Sequence, residues 1–288
     1  MQIEIPGELT HVSTVQTWEC DSNAHLNVQF YHQRFREAGH YYRRKYGLEG
    51  ASMTCAHTRF YRELHADHTG RILTLPVYDI HGAYYLMHNL TVDGMTPSCI
   101  SLDRLERDAD EVFRQAKHKI ARPLAEFSKA GPRGLGVDHR PPSTKVAAML
   151  ATASADISCM THVLQHDLDH AGVWRAERLI SSFSNGGQSA WALVGATENW
   201  LRARNLGRVV LELKYKQIAS PEPDTILRQI SYPFALKGKT YSFCHQIEDA
   251  VSGQVYGLGE LLSALMDLTS RKVVSIPDEL TLPKGVEF

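Results

Sequence analysis

The chain has 288 residues, 43% of them hydrophobic and 22% charged, with a formal net charge of −1. That length suits two ordinary domains, each burying its own core. The near-neutral balance leaves no electrostatic footprint for nucleic acid or an anionic membrane surface. No apolar run approaches the ~20 residues of a membrane-spanning helix. Residues 1–10 (M-Q-I-E-I-P-G-E-L-T) lack the basic start and apolar core of a secretory signal. The five cysteines (20, 55, 99, 159, 244) are scattered and form no C-x-x-C pair, so a reduced, cytoplasmic protein is expected.

The predicted elements follow one pattern twice. A short strand leads to an Asp-bearing turn at Asp21. Val28, Tyr31, Phe35, Ala38 and Tyr42 then recur at spacings of 3 and 4, the buried stripe of an amphipathic helix. Asn27 suits its N-cap, and Gly47 and Gly50 lie where it should stop. Strand-like runs follow at 52–64, 71–80, 83–92 and 98–106, with His81-Gly82 reading as a hairpin turn. Residues 131–144 (G-P-R-G-L-G-V-D-H-R-P-P-S-T) have linker composition. Residues 145–160 read as part helix, part lead-in to a strand. The chain thus divides into a first unit, 1–130, a linker, 131–160, and a second unit, 161–288. In the second unit Ala176, Ile180, Phe183, Gly187, Ala190, Val194 and Leu201 carry a helical stripe from about 175 to 204, with Gly186-Gly187 a place for a bend. Strands are expected at 208–217, 225–236, 239–249 and 254–266. Helix followed by antiparallel strands, twice over, implies an α+β fold.

The two halves also match residue by residue. At an offset of 148, Val15 falls on Val163, Asp21 on Asp169, Phe35 on Phe183 and Gly39 on Gly187. Tyr61, Ile72 and Leu73 match Tyr215, Ile226 and Leu227 at 154; Tyr84, His88, Asp110 and Arg114 match Tyr241, His245, Asp267 and Arg271 at 157. Growth of the offset in steps is what loop insertions produce. The polar set is unequal: Asn23 and His25 have Ala171 and Val173 as counterparts, whereas Asp169 survives. His88 and His245, being matched, are expected to share an architectural role. Fifteen histidines raise the question of a metal, but no H-x-x-x-H or H-E-x-x-H falls on a convincing helix. His162, His166 and His170 lie in what reads as strand and turn. No metal site is expected.

The segment W-E-C-D-S-N-A-H-L-N-V-Q-F-Y, residues 18–31, resembles the signature of the hotdog-fold acyl thioesterases in its D-x-N-x-H-x-N form. That form is known from 4-hydroxybenzoyl-CoA-type and acyl-acyl-carrier-protein thioesterases, and it lands on Asp21, Asn23, His25 and Asn27. F-Y-R-E-L, residues 60–64, resembles the Y-R-R-E strand of the carrier-protein enzymes and puts Glu63 at their catalytic glutamate. The resemblance spans nearly all of 11–126 and 160–283. It implies two tandem hotdog units, each a long central helix wrapped by a curved antiparallel sheet. It also implies an acyl-CoA or acyl-carrier-protein substrate, with no cofactor beyond the coenzyme A or phosphopantetheine that the substrate carries. A homodimer of such double-hotdog chains is compatible with it.

The residue types suit the chemistry. A carboxylate with a pKa near ~3.9 is ionised at neutral pH, and the first turn of a helix offers unpaired N–H groups and a positive dipole end for an oxyanion. Asp21 is therefore read as the attacking or water-activating carboxylate, with Asn23, His25 and Glu63 completing the catalytic set. Asn27, Val28, Asn185 and Gly187 are candidates for substrate binding. Val28 stands where the family has Asn or Gly, which leaves the donor set open. The plainer roles are a turn-capping Asp21 and a solvated Glu63. Arg43-Arg44-Lys45 and Arg202, Arg204 and Arg208 could meet coenzyme A phosphates or be the wet side of a helix. Two other functions compete. One is a hotdog-type enoyl-CoA hydratase, against which the missing proline of its D-x-N-P-x-H turn counts. The other is a non-catalytic acyl-CoA-binding module.

Overall fold

A computed structural model describes residues 6–94, 96–105, 121–136 and 138–283. The chain separates into two compact units, residues 1–133 and 134–288. The first holds β1 (Glu8–Thr14), helix α1 (Val28–Lys45), β2 (Cys55–Phe60), β3 (Thr69–Tyr78), β4 (Tyr84–Thr91), β5 (Pro97–Arg104) and the short β6 (Arg122–Pro123). Its main strands run in the order β1-β3-β4-β5-β2, all neighbours antiparallel. The 3.6-residue stripe of α1 is buried at Tyr31, Phe35, Ala38 and Tyr42, while Val28, at the helix start, is half-buried. Tyr31, Phe35 and Ala38 pack on Val15, Leu26, Leu64, Ile72 and Leu90. Each such large side chain contributes on the order of 1.5–3 kcal/mol by leaving water. Gly82 turns the β3–β4 hairpin at φ +79°, a conformation costly for a side chain.

The second unit holds α2 (Val146–Ala151), β7 (Asp156–His162), α3 (Ala176–Ala192), α4 (Glu198–Ala203), β8 (Leu206–Gln217), β9 (Ile226–Lys237), β10 (Thr240–Asp249), β11 (Val255–Asp267) and the short β12 (Lys272–Val273). The order is β8-β11-β10-β9-β7, again antiparallel. Among the described residues no helix is long and apolar enough to cross a membrane.

Four expectations change. The stripe from 175 to 204 is two helices, because Gly195 leaves the helix at φ +96° and Thr197 caps a new one by accepting from Trp200 N. Residues 145–160 hold α2 and the start of β7, as expected, whereas the Pro/Gly-rich residues before them are held in place, Lys214 Nζ donating to the carbonyls of Leu135 (3.2 Å) and Asp138 (2.5 Å). Their Pro/Gly content therefore marks a tethered segment rather than a free linker. Glu63 lies beyond the end of β2, on an extended segment. The register also replaces the offset of 154: His11 pairs with Ile72 as Cys159 pairs with Gln229, so Ile72 answers to Gln229, not Ile226, and Leu73 to Ile230. Tyr61 N and Ile218 N likewise bond to Ser98 O and Tyr256 O, so Tyr61 answers to Ile218 rather than Tyr215. One insertion, containing α4, takes the offset from 148 to 157 in a single step. Asp110 and Arg114 lie outside the described residues.

Each unit carries a polar ladder under its long helix. In the first, Thr10 Oγ1 lies 2.6 Å from Thr74 Oγ1, which lies 2.8 Å from His88 Nδ1. In the second, Ser158 Oγ lies 2.5 Å from Ser231 Oγ, which lies 2.5 Å from His245 Nδ1. Phe35 stacks on His88 at 5.7 Å and Phe183 on His245 at 5.3 Å. Thr10 and Ser158 each occupy a β-bulge, which turns the hydroxyl inward. The expected architectural role of His88 and His245 is this ladder.

Candidate active site

The site grows from a tight turn before α1. Cys20 and Leu26 bridge across it, Asp21 N donates to His25 O, and Ala24 N donates to Asp21 O. Asp21 Oδ1 accepts the amides of Asn23 (2.8 Å) and His25 (3.2 Å), the side-chain-to-backbone bonding that Asp favours in turns. Ala24 takes φ +61° to close it. Asn27 then caps α1, its Oδ1 accepting from Gln29 N at 3.1 Å, and Val28 is the first helical residue. Arg34 locks the helix to the turn. Its guanidinium meets both oxygens of Glu19, at 3.0 and 2.8 Å, in a buried bidentate pair. Sequence reading missed this pair, whose members lie fifteen residues apart with no periodic signal linking them.

The second arm comes from the extended segment after β2. There Glu63 and His65 project to one side and Leu64, fully buried, to the other, as the two-residue period of an extended chain dictates. Leu64 is pinned by its carbonyl accepting from Leu26 N (2.7 Å) and its amide donating to Tyr31 Oη (3.3 Å). This brings Glu63 Oε2 to 3.1 Å from His25 Nε2. A carboxylate only accepts, so His25 carries its proton on Nε2. The His25 side chain is 9% exposed and that of Glu63 31%, so the pair is anchored at the imidazole and reachable at the carboxylate. His65 adds an edge-on ring 5.2 Å from that of His25, and its Nδ1 lies 3.0 Å from Ala24 O.

Asp21, Asn23, His25, Asn27, Val28 and Glu63 therefore gather around one turn and one helix start. Asn185 and Gly187 belong to the second unit, on α3. Asn185 is exposed and bonds toward Cys159, while Gly187 faces open space. The basic candidates are largely engaged. Arg43 donates to Ala51 O, Lys45 pairs with Glu8, Arg204 with Glu279 and Arg208 with Glu198.

The second unit repeats the turn without the His–Glu contact. Asp169 Oδ1 accepts from Ala171 N (2.8 Å) and Val173 N (2.9 Å), and Gly172 sits at φ +76° where Ala24 stands in the first. Val173 replaces His25. Asp67 and Asp224 both take positive φ and donate their amides to Val15 O and Val163 O, which sets the register between them. In that register Ser220 stands for Glu63 and Glu222 for His65.

No protein-family model matches the sequence, and no curated protein matches it. Solved structures do resemble it over nearly the whole chain. An oleoyl thioesterase from Lactobacillus plantarum superposes with a TM-score of 0.61 at 9% identity, covering 90% of this chain and 95% of that one. An acyl-ACP thioesterase from Bacteroides thetaiotaomicron gives 0.58 at 8% identity, covering 88% and 96%. The 12:0-ACP thioesterase from Umbellularia californica gives 0.56 at 9%, covering 88% and 93%. The chain has the fold of these thioesterases.

Proposed function

We propose that the chain is a tandem pair of hotdog units that hydrolyses an acyl thioester of coenzyme A or an acyl carrier protein, at the Asp21–His25–Glu63 site of its first unit. The observation that carries this is the 3.1 Å contact between His25 Nε2 and Glu63 Oε2 beside a helix start, in the unit that keeps both residues. Glu63 is the general base. Its carboxylate is held by the His25 N–H and takes a proton from a water molecule, which attacks the thioester carbon. The oxyanion meets Val28 N at the start of α1, since Gln29 N and Phe30 N already donate to Asn27. Collapse breaks the C–S bond, the acyl group leaves as a carboxylic acid, and the proton on Glu63 passes to the departing thiolate. Asp21 holds the turn that presents Asn23 and His25. This exchanges the roles that sequence alone suggests for Asp21 and Glu63, because an Asp with the same two amide bonds recurs at Asp169, where Val173 and Ser220 stand in place of His25 and Glu63. Asn23 and Asn27, which the family resemblance carries over, serve the turn and the cap of α1. A cytoplasmic setting belongs to the same reading and agrees with five free cysteines.

Thiol release measured across a panel of acyl-CoAs and acyl carrier proteins tests it. At least one substrate should turn over, Glu63→Gln should abolish most of the rate, and Asp21→Asn should retain far more, since an amide oxygen can accept the same two N–H groups. No turnover on any thioester overturns the proposal. Equal loss in the two variants returns the attacking role to Asp21.

A further inference from the structure

The acid–base pair has a third neighbour that hydrolysis leaves unused. One ligand atom each from His25, Glu63 and His65 lies within 4.8 Å of the other two. A backbone carbonyl only accepts, so the contact of His65 Nδ1 with Ala24 O, 3.0 Å, puts the imidazole proton on Nδ1 and the lone pair on Nε2. An imidazole whose other nitrogen is tied to a carbonyl is the usual state of a metal-ligating histidine. The scaffold is rigid on both sides: Leu64 is fixed between Glu63 and His65, and Ala24, whose carbonyl orients His65, is fixed by the Asp21 turn.

We infer that His25, Glu63 and His65 form a zinc site that reversibly blocks the hydrolytic pair. Two imidazoles and one carboxylate are a donor set suited to Zn²⁺ rather than to Mg²⁺ or Ca²⁺, which favour oxygen ligands. Ligand bonds of ~2.0–2.2 Å place ligand atoms roughly 3.5 Å apart, so the set must contract by about 1 Å. Glu63 and His65, both partly exposed, supply that movement by side-chain rotation. Ligation by His25 Nε2 moves the imidazole proton to Nδ1, so the ion takes the place of the N–H that faced Glu63, and it occupies the carboxylate that would otherwise take a proton from water. Inhibition follows from the site's own chemistry. The second unit, with Val173, Ser220 and Glu222 in these places, has no equivalent set.

The blocking effect rests on the hydrolytic reading; zinc binding does not. Calorimetric titration of the metal-free full chain with zinc chloride, with magnesium chloride as control, reads binding without reference to catalysis. The expected result is one zinc equivalent bound, no magnesium, and affinity at least about tenfold weaker in His65→Ala and in His65→Asn. The asparagine variant keeps an N–H donor for Ala24 O, and far-UV circular dichroism verifies that both variants fold. Thiol release should fall with added zinc, recover on chelation, and become zinc-insensitive in the His65 variants at unchanged basal rate. Absence of binding, or binding equally tight in both His65 variants, overturns the site. Zinc that binds through His65 while leaving or raising the rate overturns the blocking role alone. A chain that binds zinc but releases no thiol refutes the hydrolytic reading and leaves the metal site standing.

Discussion

The turns at Asp21 and Asp169 are nearly the same object. Each follows a three-residue 3₁₀ turn, each is crossed by a bridge, and each has an aspartate collecting two amides and a left-handed residue three positions later. They differ in what the turn carries. At the first, a buried histidine reaches a glutamate from another segment; at the second, valine and serine stand in those places. An aspartate that looks catalytic beside its histidine is thus also an aspartate that builds turns. The two turns share a scaffold and differ in the side chains it carries.

The largest effect expected from that contrast is catalytic. Glu63→Gln should lower kcat by ~10²–10⁴, the range of a general base, while Ser220→Ala leaves it unchanged. Thiol-release kinetics with one substrate make the comparison, and equal losses would mean two working sites. Next is packing. Under α1, Ala38 and Ile72 are both fully buried; the corresponding pair under α3 is Gly186 and Gln229. A methyl group on Gly186 would overlap the Gln229 amide and come within 2.6 Å of Ser158 Oγ. Gln229 is itself bonded to Ser158 and His245, so it cannot swing aside freely. Gly186→Ala should cost ~1–3 kcal/mol in urea unfolding. Gly187→Ala, with nothing within 4 Å, should instead stabilise by ~0.5–1 kcal/mol.

The third test is acid. His88 faces Asp103 at 3.6 Å, and Asp103, although burial pushes its carboxyl up, is held below its usual range by His88 and the Ser101 hydroxyl. Burial takes His245 down from 6.5 to about 3. His32 falls to about 4, again through burial. These two rings stay neutral in the fold and take protons when it opens. Stability should therefore be complete above pH 6.5 and decline below it, with the decline under way before glutamate carboxyls, ordinarily at 4.5, contribute. Urea midpoints measured between those values should show the slope, and His245→Gln should flatten it; a slope unchanged in that variant refutes the assignment. The smallest effect concerns the left-handed residue. Gly172→Ala should destabilise by ~1 kcal/mol, the cost of a side chain in that conformation, and Ala24→Gly should shift stability the other way by no more than that. Thermal unfolding of the two variants reads both signs.

Much of this was legible in the sequence. Apolar spacing located α1, because it reports burial on one face. The D-x-N-x-H-x-N segment located the turn, because turn geometry is local. Missing was whatever depends on contacts across the sheet. The three-residue error at Ile72 and Leu73 arose because matching apolar identities cannot see register, which hydrogen-bond pairing sets. The long second helix was over-extended because Val194 and Leu201 keep the stripe through a break that only Gly195 marks. His65 escapes a sequence reading because its neighbour, His25, is forty residues away and no periodic spacing links the two.

The bulges at Thr10 and Ser158 have a consequence for folding. Strands β1 and β7 each lie at the edge of their own unit's sheet, paired to strands about sixty to seventy residues later, so loop closure is slow and wrong alignments compete. A slip of one residue turns every side chain to the other face. In β1 it would also take a hydroxyl from Thr74 and leave the Thr74–His88 end of the chain to find other partners in the dry interior, at a cost of ~1–3 kcal/mol for each group stranded. The extra residue in each strand thus acts as a keyed tooth that admits one alignment. Because the key survives in the unit that lacks the acid–base pair, correct threading places its own demand on these positions, separate from any demand of catalysis.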